Sequence, residues 1–258
     1  DSPCLRLKLN PWDSSSGLSK LVSEVHGGMI LRSWLDRPLL LGGCLYNKPE
    51  QSLSWRDLEI KRVHSPCPVG VIPDIAIHLD REKNKVGAIN PETMLPLIVS
   101  SKEAANLQSQ VFSHLGEKKP WDGFDLYLSP FFSHTIVGLE KEFIVGPRHD
   151  DLAMVFVASQ ALIEAAKRKT PLPSPGIVAF FDSEETGSQT AASASGPFLD
   201  DVLKRLCEFS KAKEENVVRQ SFVVSADMAH GFHPSFEDKH DKNHRPQLNA
   251  GLVIKVNA

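Results

Sequence analysis

Acidic side chains follow the ends of apolar runs in the second half of the sequence, and their types and positions favour metal chemistry. Ligand sites in open α/β sheets lie beyond the carboxyl ends of strands, so carboxylates at several strand ends are expected at one edge. Hard cations prefer several oxygen ligands, and zinc accepts carboxylate oxygen together with imidazole nitrogen. The pattern predicts a metal site formed by Asp182, Glu184 and Glu185 after the run 176–181, by Asp227 after the run 221–226, and by Asp150 ahead of a helix.

The adjacent pair Glu184 and Glu185 is the most informative of these features. Two neighbouring carboxylates repel each other unless a positive charge lies beside them. A metal ion would bind one of them and leave the other free to accept a proton from a water molecule. The alternative is an exposed acidic pair at the N-terminus of the following helix, where negative charge is favoured. Spacing alone leaves both interpretations open.

Each of the other candidate residues also has a purely structural interpretation. Asp150 precedes a helical pattern, where Asp is a frequent N-cap, and Asp227 could simply end a strand. His78 ends the apolar run 75–77 and is by itself more typical of a structural residue. The histidines after Asp227 indicate either a working loop or a solvated surface loop; they are His230, His233, His240 and His244.

The elements that must position these residues change in character along the chain. Residues 1 to about 140 contain short β-like runs separated by Gly and Pro, which indicates a mostly β region. The later residues alternate between strand-like and helix-like patterns, which favours an α/β layer with a mostly parallel central sheet flanked by helices. Strands are predicted at 143–145, 176–181, 221–226 and 252–256, and helices at 152–167 and 197–209, with a loop at 171–175.

Composition excludes several classes of protein. The 258 residues are 41% hydrophobic and 24% charged, which is typical of a globular protein. The net charge of −3 and the lack of a long Lys/Arg run argue against nucleic-acid binding. The sequence has no apolar stretch long enough to span a bilayer, its start lacks the features of a signal peptide, and its four scattered cysteines suggest free thiols in a reducing compartment. We therefore expect a cytoplasmic protein without membrane partners, whose sequence is truncated at both ends.

Together these features resemble the aspartyl aminopeptidase family of co-catalytic zinc exopeptidases. The similarity extends over nearly the whole chain, and its short phrases follow one another in the family's order. The phrases are 1–6, 27–37, 72–79, 90–93, 182–188, 225–230, 243–246 and 254–257.

The resemblance implies an enzyme that removes N-terminal Asp or Glu from peptides with two Zn²⁺ ions per subunit, although other divalent metals could replace zinc. In this scheme Asp150 bridges the two ions, Glu185 and Asp227 each bind one, and Glu184 is the general base. Asp1 orients a His ligand without binding the metal itself, a role that fixes the tautomer of a metal-bound imidazole. The substrate-binding residues would be His78, Glu184, Asp227, His230 and Lys255, with His78 reaching into a neighbouring subunit.

The resemblance also implies a domain organisation and an assembly. Residues 1–9 and 141–258 would belong to the α/β catalytic domain, which is truncated at its C-terminus here. Residues 10–140 would form an inserted β-rich dimerisation or lid domain. The subunits would assemble into a homo-oligomer, which is a dodecamer in the family.

Two departures from the family pattern affect the expected site. The usual Arg-Leu-Asp-Asn phrase reads Arg148-His149-Asp150-Asp151 here, so extra charge is expected beside the metals. Two His ligands of the family would lie before Asp1 and beyond Ala258, outside this sequence. A two-metal hydrolase of another substrate and an inactive scaffold paralogue remain alternatives.

Overall fold

The computed structural model describes residues 1–50, 54–85, 88–170, 172 and 174–256. They form two compact units. The sheet unit comprises Ser2–Pro147 and Glu185–Gly187, and the helix unit comprises Asp1, Arg148–Glu184 and the described part of Ser188–Ala258. Parts of the predicted 171–175 loop and the end of the 254–257 phrase lie outside the described residues.

The sheet unit consists mainly of antiparallel strands with two short helices. Its strands are β1 (Cys4–Ser15), β2 (Leu18–His26), β3 (Pro38–Asn47), β4 (Glu59–His64), β5 (Gly70–Val71), β6 (Leu97–Ser100), β7 (Gly123–Pro130), β8 (Thr135–Val137) and β9 (Phe143–Val145), and its helices are α1 (Pro91–Met94) and α2 (Leu107–His114).

Seven strands form one sheet in the order β4-β3-β5-β6-β2-β1-β7, and it closes on itself because β3 also pairs with β7. Alternate residues along these strands face the interior, as the two-residue period of a strand requires. The leucines of β1, β3 and β7 therefore form the centre of the core; they are Leu5, Leu7, Leu39, Leu41, Leu45, Leu126 and Leu128. Helix α2 adds Val111 and Phe112 to the same core.

The described residues of the helix unit form three α-helices, α3 (His149–Ala166), α4 (Phe198–Ser210) and α5 (Glu214–Gln220). The sequence predicts the first two within a few residues of their observed bounds, and it gives no prediction for α5. No helix among the described residues is both long and apolar enough to cross a bilayer.

The predicted parallel sheet is not present among the described residues. The runs 176–181, 221–226 and 252–256 carry no strand assignment, and β9 is the one predicted strand of this region that forms. It pairs with β8 in an antiparallel hairpin. A strand requires a hydrogen-bonded neighbour, and these three runs leave most of their large apolar side chains exposed instead; Phe222 is 91% exposed.

The predicted domain bounds fall at different positions from the divisions between the compact units. The bound at residues 9 and 10 lies inside β1, so residues 4–9 are part of the closed sheet. The bound at residues 140 and 141 lies between β8 and β9, whereas the units divide after Pro147. The assignment of these segments to catalytic and inserted domains stays a prediction.

Candidate functional site

Three of the predicted site residues meet in the helix unit, although they are far apart in the sequence. Lys255 Nζ donates a hydrogen bond of 2.6 Å to Asp227 Oδ2. The second oxygen of this carboxylate, Oδ1, accepts the backbone N–H of Met228 at 2.7 Å. The Asp150 carboxyl group also forms a hydrogen bond with Asp227. The structure thus brings Asp150 and Asp227 together, as their positions in the sequence predict.

The charge of Asp227 is stabilised by its neighbours. The hydrogen bond from Lys255 holds the pKa of Asp227 below its usual value, and partial burial opposes this shift. The Met228 N–H, the charge of Lys255 and the hydrogen bond from Asp150 lower the pKa further. Asp227 is therefore ionised at neutral pH.

The contact between two carboxyl groups fits a cation-binding site. Like charges this close raise the cost of ionising both groups, unless a proton or a cation lies between them. A surface ion pair is the alternative explanation for Lys255 and Asp227. Their side chains are 38% and 51% exposed, and such pairs contribute little to stability. That explanation accounts for Lys255 but not for Asp150, whereas a bound cation would account for the closeness of the two carboxyl groups.

Asp150 reaches Asp227 because α3 begins irregularly. Arg148 has a left-handed backbone with a φ of 63°. Asp150 and Asp151 have non-helical backbone angles, although they lie within the bounds of α3. The carboxyl group of Asp150 therefore stands ahead of the first regular helical turn and forms a contact with Asp227 in addition to any capping of α3.

Glu184 and Glu185 lie in a tight turn well ahead of α4 rather than at its start. They begin the single 3-10 turn Glu184–Thr186, and α4 does not start until Phe198. Gly187 follows with a φ of 98°, which is the left-handed backbone expected of a glycine at a sharp turn. The acidic pair is therefore not at the N-terminus of α4, the helix that the sequence predicts next.

The two glutamates differ in environment. Glu184 is exposed and belongs to the helix unit. Glu185 is half-buried and groups with the sheet unit, where its Oε2 accepts the backbone N–H of Gly28 at 3.1 Å. A Cβ at Gly27 would lie 2.7 Å from the Cβ of Glu185, so only glycine fits there. The Gly27-Gly28 pair was the available sequence signal for this contact, but its partner could not be inferred.

The remaining predicted residues are distributed over both units. Asp1 is half-buried in the helix unit. His230 is exposed in an irregular segment after Asp227, and His78 is exposed in a turn of the sheet unit. Among the described residues, no group of three or more His, Cys, Asp or Glu side chains converges to enclose a metal ion.

The other histidines after Asp227 support the local fold of their own loop. The ring of His240 accepts the backbone N–H of His233 at 3.1 Å, and the ring of His233 accepts the N–H of Ser235 at 3.2 Å. His244 Nδ1 lies 3.1 Å from Asp241 Oδ1. These contacts favour a structural role for the three histidines.

Comparison with known proteins gives the family. The whole chain, residues 1–258, matches the sequence model of the family described as Aminopeptidase I zinc metalloprotease (M18). The chain therefore belongs to the M18 family of zinc metalloproteases.

Individual relatives agree with this membership. A protein named probable M18 family aminopeptidase 2, from Ectopseudomonas mendocina (strain ymp), is 37% identical over 266 residues, which cover 100% of this chain and 59% of that protein. A chain in the cryo-EM structure of the Ape4 and Nbr1 complex has a TM-score of 0.86 and 32% identity, covering 100% of this chain and 53% of that one. The mApe1 dodecamer of S. cerevisiae has a TM-score of 0.70 and 26% identity, covering 97% of this chain and 58% of that one. This chain thus spans little more than half the length of these relatives.

Proposed function

We propose that the intact protein is a two-zinc aminopeptidase that removes Asp and Glu from the N-termini of peptides. The observation that carries this proposal is the meeting of Asp150, Asp227 and Lys255 in the helix unit. Membership of a zinc metalloprotease family supports it, because carboxylate pairs are suitable zinc ligands. The acidic preference rests on Lys255 and on the family resemblance of the sequence phrases.

The residues that would hold the zinc ions are Asp150, Glu185 and Asp227. When bound, the pair would lower the pKa of a water molecule and polarise the scissile carbonyl group. Asp1 would orient a His ligand by accepting its ring N–H, which fixes the tautomer that binds metal.

Glu184 would accept a proton from the attacking water and donate it to the leaving amine. Its exposed position in a tight turn leaves its carboxylate accessible for this transfer. A general base typically contributes about 100- to 10,000-fold to a rate. The neighbouring Glu185 already accepts the Gly28 N–H, so the two adjacent carboxylates have separate tasks.

Lys255 would select acidic substrates. Its ammonium group carries three N–H donors and no acceptor, so it can bind Asp227 and a substrate carboxylate at the same time. Charge-assisted hydrogen bonds of this kind are stronger than neutral ones. His78 and His230 would provide the remaining contacts to the substrate, His78 from a neighbouring subunit.

The test replaces the proposed base in the intact protein. Glu184→Gln keeps the shape of the side chain but cannot accept a proton, so hydrolysis of an N-terminal Asp peptide should fall by about 100- to 10,000-fold. Zinc content, measured by elemental analysis, should be unchanged. The matched control is Glu164→Gln, which removes an exposed carboxylate from α3 that pairs with Lys167 and should leave activity unchanged.

The same assay distinguishes the alternatives. Peptides beginning with Asp, Glu or Leu and a phosphate ester are offered to the unmodified protein with and without a chelator. Preference for the phosphate ester would identify another two-metal hydrolase. Absence of all turnover with zinc bound would identify an inactive scaffold paralogue, and full activity of Glu184→Gln would reject its role as the base.

The intact protein would be a cytoplasmic homo-oligomer with neither membrane nor nucleic-acid partners. The mApe1 relative is a dodecamer, which supports a large assembly. The apolar runs 176–181, 221–226 and 252–256 would pair in a mostly parallel sheet, because their exposed side chains need covering. Residues 10–140 would form the inserted domain beside this catalytic domain.

A further inference from the structure

His78 lies at the tip of a loop that projects from the closed sheet between β5 and α1. We name residues 74–83 the His78 loop. Its tip is a turn in which the backbone N–H groups of Leu79 and Asp80 donate to the carbonyl oxygen of Ala76 at 2.9 and 3.4 Å. The tip has no strand partner, so other contacts must determine its position.

The start of the His78 loop is anchored to the core of the sheet unit. Ile72, two residues before the loop, is fully buried, and its carbonyl oxygen accepts the backbone N–H of Asp36 at 2.8 Å. The side chain of Asp36 binds the same segment, since its Oδ1 accepts the backbone N–H of Asp74 at 2.9 Å. Asp74 is therefore fixed by a residue outside the loop.

The two ends of the loop are joined by an ion pair between Lys83 and Asp74. These side chains are only 11% and 19% exposed. Asp74 Oδ1 also accepts the N–H of Ile75 at 2.7 Å, so this carboxylate binds the start and the end of the loop together. The hydrogen bond from Lys83 is the main reason that the pKa of Asp74 lies below its usual value.

A second ion pair in the same segment differs in exposure. Lys85 pairs with Glu82, and their side chains are 72% and 62% exposed. An exposed pair contributes little to stability, whereas loss of one partner of a largely buried pair leaves the other charge poorly compensated. The two lysines, only two positions apart, thus provide a test residue and its matched control.

We propose that Lys83 and Asp74 are positioning residues for His78, because their ion pair closes the loop and holds His78 where it can contact substrate. This inference rests on the proposed function, in which His78 binds the substrate of a neighbouring subunit. Lys83 and Asp74 do not touch the substrate themselves. Their effect on catalysis must therefore pass through His78.

A double-mutant cycle in the intact protein tests this dependence. Lys83→Met keeps the length of the side chain but removes its charge, and kcat/KM for an N-terminal Asp peptide should fall roughly 10- to 100-fold, as displaced positioning groups typically cause. His78→Ala should cause a similar loss. The variant with both changes should be no worse than His78→Ala alone, because the ion pair no longer has a substrate contact to position.

Two further variants separate positioning from folding. Lys83→Arg retains the charge and should recover most of the activity, whereas Lys85→Met should match the unmodified protein. If Lys83→Met fails to fold, Asp74→Asn replaces it in the cycle, because it keeps the shape of the side chain.

The outcomes distinguish this inference from the function on which it rests. If the unmodified protein hydrolyses no peptide, the proposed function is rejected and this inference with it. If it hydrolyses the peptide and His78→Ala lowers kcat/KM but Lys83→Met has no effect, only this inference is overturned. If His78→Ala itself has no effect, the proposed substrate contact of His78 is rejected, and this inference with it. Losses that multiply in the combined variant would also overturn it, since a general structural role gives independent effects.

Discussion

Asp125 binds two side chains at once on the partly buried outer surface of the closed sheet. Arg6 Nε donates to its Oδ1 at 2.7 Å, and the Tyr127 hydroxyl donates to its Oδ2 at 3.1 Å. Partial burial and the charge of Asp125 raise the pKa of Tyr127 to about 12. Arg6 also has a raised pKa, chiefly because of its hydrogen bond to Asp125.

The titration of Tyr127 provides the first prediction at the residue scale. The chain has two tyrosines, so Tyr46→Phe leaves Tyr127 as a single tyrosine reporter. Its ionisation, followed by the ultraviolet absorbance of tyrosinate, should occur near pH 12 in the folded protein and near pH 10 in denaturant. Adding Asp125→Asn should move the folded-state titration towards pH 10. An unchanged midpoint would show that Asp125 does not raise the pKa of Tyr127.

This pKa shift also predicts how stability depends on pH. Below about pH 10 the phenol is protonated in both states, and its contribution to stability is complete. Between about pH 10 and about pH 12 the unfolded state loses the proton first, so the free energy of unfolding falls as pH rises. Urea unfolding across this range should show a smaller fall for Tyr127→Phe, and an equal fall in both proteins would contradict the assignment.

The candidate site shows which residues could be predicted from sequence. Asp150 and Asp227 could be identified because each lies at a boundary of an apolar segment, and the structure joins them. The Lys83–Asp74 pair could not, since eight residues of irregular loop lie between them and no periodic pattern connects such positions. The roles of individual carboxylates came from the family resemblance, because residue type alone does not separate a metal ligand from a helix cap.

At the scale of elements, the closed sheet depends on close contact between strands at Gly43. This residue pairs with Val63 of β4 on one side and with Leu126 of β7 on the other. Its φ is 150°, and an added Cβ would lie only 2.1 Å from the backbone oxygen of Asp125. A backbone oxygen inside a ladder cannot rotate away as a side chain can, so β3 and β7 would have to separate.

We therefore expect Gly43→Ala to lower the free energy of unfolding by about 2 kcal/mol or more. The matched control is Gly123→Ala, on the partner strand β7, where an added Cβ would lie 3.9 Å from the nearest atom, the Cβ of Tyr46. That variant should change stability by no more than about 0.5 kcal/mol. Urea unfolding of both variants measures the difference; equal stabilities would mean that β3 and β7 separate without cost.

Helices were easier to predict than strands in this chain for a physical reason. A helix satisfies its backbone hydrogen bonds locally, so the pattern in 152–167 and 197–209 was sufficient to predict α3 and α4. A strand requires a hydrogen-bonded neighbour, and the sequence of the apolar run 221–226 does not indicate which segment would pair with it. In the sheet unit the strands do find partners along the same chain, and their two-residue alternation becomes visible as burial.

At the scale of the whole molecule, burial is very unequal between the two units. The buried hydrophobic cluster of the described residues extends from Leu5 to Leu128 and so belongs to the sheet unit. Among the described residues of the helix unit, Cys207 is the one buried apolar side chain. Since burial of apolar surface is the dominant favourable term in folding, the stability of this chain must reside mainly in the sheet unit.

We therefore expect residues 2–147, produced alone, to unfold in one cooperative transition in urea, whereas residues 148–258 should show none. The four tryptophans of the chain, Trp12, Trp34, Trp55 and Trp121, all lie in the first fragment, so their fluorescence reports on that fragment alone. Far-UV circular dichroism follows both fragments, and coincident midpoints by the two methods indicate two-state unfolding of the first. A broad, non-cooperative loss of structure in residues 2–147 would show instead that the closed sheet needs residues from the second fragment to fold, and the contact of Glu185 with Gly28 would then be the first to restore.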